Sequence, residues 1–107
     1  MSNTLYSAAL TAFAKGEIVW KASGGSTVKA VIVDTAKYTF SDAHTNLSQV
    51  PAAARVGSPV ALTLVDAANG GVCDAADITF TGLTNAPTVE AIVLYKDTGT
   101  ENTSTLI

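Results

Sequence analysis

The chain has 107 residues, with six Lys or Arg against nine Asp or Glu, a net charge of −3 and a charged fraction of only 14%, where an ordinary soluble domain carries about 25%. That balance, with no clustered basic face, argues against nucleic acid as a partner, and the longest uncharged stretch, residues 1–14, falls short of the roughly 18 apolar residues of a membrane span. The single cysteine, Cys73, closes no intrachain disulfide, and an N-terminus without a basic cluster or cleavage site predicts no secretory signal.

The large apolar stock is 11 Val, 8 Leu, 5 Ile and 3 Phe, enough for one modest core and one domain over residues 1–107. A core this thin would gain from a partner surface.

Residues 4–15 carry Leu5, Ala9, Ala12 and Phe13 on one helical stripe and predict a helix of about three turns, capped by Ser2, Asn3 or Thr4 and stopped by Gly16. The period then changes. Residues 18–22 and 28–34 are rich in β-branched residues and flank Ser23-Gly24-Gly25-Ser26, a hairpin signal. The weak alternation of residues 28–34 predicts a strand covered on both faces in its second half, by its own fold or by a subunit contact.

Residues 38–40 make a short strand at best, Ser41 or Asp42 caps a helical turn over 43–48, and residues 51–59 read as a loop. Residues 60–65 predict a strand, Asn69-Gly70-Gly71 a tight turn, and residues 72–81 its return. A turn over 84–87, an alternating strand over 89–95 and a short final strand over 103–107 complete the chain. Six or seven short strands with one N-terminal helix predict a mainly β fold, an antiparallel β-sandwich.

No catalytic motif is visible. His44, the only histidine, lies in a polar segment where an exposed loop histidine explains it better than a Ser–His–Asp triad. Asp66, Asn69, Asp74 and Asp77 offer oxygen ligands around a glycine turn, but at spacings unlike a calcium loop, and Asp and Asn favour turns for their own backbone hydrogen bonds. Cys73 reads as a half-buried small hydrophobe. Catalytic, metal and cofactor sites are all expected to be absent. Arg55, the only arginine, lies in an alanine-lined segment where its planar five-donor group could anchor a partner, the bland alternative being a solvated loop charge. Fifteen Thr supply uncharged, β-favouring surface.

Four blocks carry a resemblance. Lys29-Ala30-Val31-Ile32-Val33-Asp34-Thr35-Ala36-Lys37-Tyr38-Thr39, Leu47-Ser48-Gln49-Val50-Pro51-Ala52-Ala53-Ala54-Arg55-Val56, Val72-Cys73-Asp74-Ala75-Ala76-Asp77-Ile78-Thr79-Phe80 and Glu90-Ala91-Ile92-Val93-Leu94-Tyr95-Lys96-Asp97-Thr98-Gly99-Thr100 resemble, in order and spacing, small virion proteins of tailed bacteriophages. Size and helix-first layout also resemble the capsid cement, or staple, proteins of short-tailed phages such as Salmonella phage epsilon-15. The resemblance implies a jelly-roll-like β-sandwich that docks as a symmetric homodimer on the outside of an HK97-type capsid. There it would cement neighbouring units of the major capsid protein, with no catalytic residues to carry over. Members of similar pattern run on past the position of Ile107 with a further strand, so this chain is either a short member or one whose last strand pairs with a neighbour.

On this reading the partner contacts are expected from Pro51, Ala54, Arg55 and Val56 and from the chain ends, Leu5, Tyr6, Leu106 and Ile107. The alternative is a tail or head-fibre module for host-surface recognition. It predicts an exposed aromatic cluster, whereas Trp20, Tyr6, Tyr38 and Tyr95 fall on separate predicted elements.

Overall fold

Five of the six residues in Val28–Val33 are apolar, and in the computed structural model, which describes residues 3–83 and 91–107, they form the central strand β1. Strand β2 (Arg55–Ala61) pairs with one of its edges and β5 (Ala91–Lys96) with the other, both antiparallel. A separate antiparallel hairpin joins β3 (Leu64–Ala68) to β4 (Val72–Ala75). With α1 (Ser7–Ala14) as the one α-helix among the described residues, the chain is mainly β, with two antiparallel sheets, as its patterning predicts.

Residues directly opposed in an antiparallel ladder share a face. Lys29, Val31 and Val33 of β1 therefore lie with Tyr95, Val93 and Ala91 of β5, and Arg55 of β2 stands opposite Val33. This face packs Val31, Val33, Val93 and Tyr95 against Tyr6, Tyr38, Leu47, Val50 and Leu106. The other face packs Val28 and Leu94 against Ala9 and Ala12 of α1, with Ile18, Leu64 and Ile107. Residues 28–33 alternate only weakly because both faces are covered.

Helix α1 is shorter than predicted, and its N-terminus is capped from across the fold. The backbone N–H of Ser7 donates to Asp42 Oδ1 at 2.8 Å and the Ser7 hydroxyl to Asp42 Oδ2; the capping expected of Asn3 or Thr4 is not made, and Ser2 lies outside the described residues. The exit is as expected. Gly16, at φ 73°, lets its own N–H reach Phe13 O and the Glu17 N–H reach Ala12 O, closing the last carbonyls.

The predicted strand over 18–22 does not form. Val19 instead exchanges hydrogen bonds with Ser26, while Trp20 Nε1 donates to Asp74 O and the Ala22 N–H to Asp66 Oδ1, each at 2.8 Å. The segment clasps the β3–β4 hairpin rather than pairing with β1. Residues 38–40 also stay outside any strand, with Tyr38 buried.

The predicted loop over 51–59 is instead a 3₁₀ turn (Ala52–Ala54) followed by β2. Gly57 and Pro59, within that predicted loop, sit in a bulge: Ala30 pairs with Val60 but Ile32 with Val56. Edge strands tolerate such a bulge, and it suits a positive-φ glycine such as Gly57. The helical turn expected over 43–48 contracts to a 3₁₀ turn at Leu47–Gln49, with Asn46 and Gln49 forming a capping box.

The strand predicted over 60–65 is split. Ala61 ends β2 and Leu64 begins β3, so the chain changes sheets at Leu62 and Thr63. The Asn69-Gly70-Gly71 turn forms, its glycines at φ 90° and 76°, but the return strand stops at Ala75. The predicted turn over 84–87, and Val89 and Glu90 of the following strand, lie outside the described residues. Finally, 103–107 is not a full strand. It enters a 3₁₀ turn (Glu101–Thr103) and makes single bridges, Thr105 to Asn46 and Leu106 to Tyr95.

Candidate functional site

The chemistry gathers on the Tyr95 face of the sheet, around Arg55. Its Nε donates to Val50 O at 3.0 Å, and Nη2 donates to Leu47 O and Val50 O at 2.9 and 2.6 Å. Nη1 pairs with Glu101. The Leu47 carbonyl also accepts the Val50 N–H at 2.9 Å, whereas the Val50 carbonyl, just past the 3₁₀ turn, has the guanidinium as its donor. With its side chain only 15% exposed, Arg55 is an internal strut joining β2, the 47–50 segment and Glu101. Its guanidinium holds the Glu101 carboxyl below the ordinary carboxylate range, first by hydrogen bond and then by charge.

A second ion pair stands nearby. Lys29 Nζ lies 2.9 Å from Asp97 Oδ2, and Asp97 Oδ1 also accepts the Gly99 N–H at 3.0 Å. These bonds lower the Asp97 carboxyl and raise the Lys29 ammonium. Between the two pairs opens a cleft of about 350 Å³, with Val31, Leu47, Arg55, Tyr95, Thr100 and Glu101 among its lining. The Gly57–Pro59 bulge supplies part of the wall. Burial raises the Tyr95 phenol, with Lys29 and Arg55 opposing that shift and Asp97 and Glu101 reinforcing it.

The residues expected to make partner contacts do not share one surface. Tyr6, Ala54, Val56, Leu106 and Ile107 are buried in the two core clusters or against the sheet, because an apolar chain end is better covered by its own fold than left for a partner. Leu5, at 46% exposure, and Pro51 remain on the outside, and Arg55 is committed to the internal bonds above.

His44 is half-buried rather than a solvated loop residue: its Nδ1 bonds the Tyr38 hydroxyl, which bonds the Tyr6 hydroxyl, each at 2.8 Å. Burial pushes the Tyr6 phenol well above its ordinary value, and the bond to Tyr38 adds to this. Cys73 is exposed, not half-buried, because β4 has no covering layer over it. Asp66 and Asp74 accept backbone N–H groups, and among the described residues no three His, Cys, Asp or Glu side chains gather where they could hold a metal. No helix among them is long and apolar enough to cross a membrane.

The feature that sequence reading missed is the degree to which the β3–β4 hairpin stands clear of the body. Beyond Leu64, β3 is exposed throughout, and Val65 and Val72 are 46% and 59% exposed. The absence of Lys and Arg from residues 56–95 was the available signal. Compared with protein-family models, curated proteins and solved structures, the chain matches none of them.

Proposed function

We propose that the chain is a non-enzymatic structural virion protein that binds the outer surface of an HK97-type phage capsid and cements neighbouring capsomers, as a homodimer built on a jelly-roll-like sandwich. The observation that carries this reading is the β3–β4 hairpin. A two-stranded hairpin is marginal by itself, yet this one is tied to the body through Leu64, Trp20 and Asp66 while presenting exposed Val65 and Val72 beside Asp66 and Asp74, which make no ion pair among the described residues. Such an arm suits insertion against a larger assembly, and a surface this poor in charge suits coverage by other subunits.

The test is the molar ratio of this chain to the major capsid protein in purified particles, with wild type and the exposed-site variants Val65→Lys and Val72→Lys. Hundreds of copies, reduced by either substitution in a domain that still folds, support the reading. A dozen or fewer copies place the protein in the tail instead, and unchanged occupancy removes the hairpin from the contact.

A further inference from the structure

The Tyr95 side chain is 3% exposed, and neither the hydrogen bonds nor the influences on its ionisation give its hydroxyl a partner among the described residues. Buried phenols nearly always find one. Among the described residues no side-chain oxygen or nitrogen is sealed from solvent without a partner, which places the hydroxyl at the cleft that Tyr95 lines.

The other lining groups carry spare capacity of both kinds. Arg55 uses Nε and both Nη2 hydrogens on carbonyls and one Nη1 hydrogen on Glu101, leaving one donor. Only Oε1 of Glu101 is engaged, leaving its second oxygen as an acceptor. Among the described residues the Thr100 hydroxyl makes no bond; the bonds at Thr100 are made by its carbonyl and N–H. Asp97, by contrast, has both oxygens occupied.

Charge narrows the ligand further. Each charged group lining the cleft is already paired, Arg55 with Glu101 and Asp97 with Lys29, which itself lies outside the lining. An anion entering would meet two carboxylates, and a cation would meet the guanidinium and find both carboxylates already engaged by basic groups, so neither sign gains much. A single carbonyl or amide would answer one spare group and leave the rest unpaired, which is costly once water is displaced. Several adjacent hydroxyls, each able to donate and accept, answer the set.

We infer that the Tyr95 cleft binds an uncharged polyol of about monosaccharide size, its hydroxyls bonded by Tyr95, Thr100, Arg55 and Glu101. The cleft, at about 350 Å³, lies at the small end of ligand sites. This inference does not depend on where in a particle the protein resides.

The test is an amide-shift titration of the whole chain with glucose, galactose and N-acetylglucosamine. Sodium phosphate and ethanolammonium chloride serve as charged probes. Saturable shifts at Gly99, Thr100 and Glu101 with at least one sugar, and with neither charged probe, are expected. Tyr95→Phe, which removes only the hydroxyl, should weaken that binding about tenfold, the loss of one hydrogen bond, while leaving the unfolding midpoint unchanged or higher. The inference is overturned by an absence of saturable shifts with all three sugars, by equal binding to Tyr95→Phe, or by a charged probe binding in their place. A clear loss of stability in Tyr95→Phe also overturns it, because the hydroxyl would then have an internal partner.

Discussion

At the scale of single residues, Arg55 shows how one side chain changes meaning with its surroundings. In an alanine-lined segment it reads as a free cation. Folded, it closes the Leu47 and Val50 carbonyls and grips Glu101. Replacing it by a shape-compatible apolar residue strands the Val50 carbonyl and leaves the Leu47 carbonyl only its bond from the Val50 N–H, so Arg55→Met should destabilise the domain by about 1–3 kcal/mol, measured by urea unfolding. Glu101→Gln should cost far less, since that carboxylate is 56% exposed.

Three carboxyls, Asp42, Asp97 and Glu101, sit below their ordinary range, held by Ser7, by Lys29 and Gly99, and by Arg55 respectively. The unfolded chain binds protons at these groups at higher pH than the folded one does. Their contribution is therefore present at neutral pH and is lost as pH falls below about 5 and through the depressed folded values. Lys29 is raised, so its contribution persists below about 10.4 and is lost as pH rises above that. The thermal midpoint should show a plateau between these limits, and Asp97→Asn should make its acid limb shallower.

Among the elements, the sharpest departure from the sequence pattern is at 18–26. Glycine richness there reads as hairpin freedom, but Gly25 has no positive φ. A Cβ on it would lie 2.3 Å from the Lys21 carbonyl oxygen and 3.0 Å from that of Val19. This glycine serves close backbone approach, which releases Trp20 and Ala22 to hold the hairpin. Gly25→Ala should therefore destabilise by about 1–3 kcal/mol, more than Gly16→Ala, whose added methyl meets open space and whose cost of about 1 kcal/mol is conformational. Paired thermal melts distinguish the two. The misreading of 51–59 has a related cause, since Gly57 and Pro59 break a central strand but are tolerated in a bulged edge strand, and edge position is not written in local sequence.

At the scale of the whole molecule, the exposed apolar residues are divided. Val65 and Val72 lie on the hairpin, while Leu5 and Leu10 lie on and beside α1, with Leu10 at 55% exposure. If the homodimer forms through the helix, one patch is used twice, and Leu10→Lys should shift a dimer to monomer in sedimentation at high micromolar concentration without changing the unfolding midpoint. A wild-type protein that sediments only as monomer there would remove the dimer from the proposal.

The sequence by itself determined what local physics controls. A helix ends at Gly16, a turn forms at Asn69-Gly70-Gly71, a doubly covered strand spans Val28–Val33, and the chain is mainly β. These follow from glycine conformation and from the spacing of apolar residues, both readable within a short window. Tertiary structure alone decided which strands neighbour β1, that Asp42 caps a helix 35 residues away, that Arg55 is a strut, and that Tyr95 meets Arg55, Asp97 and Glu101 around one cleft. Each of those depends on residues brought together by sheet register, which is set by burial of the whole apolar set rather than by any neighbouring residue.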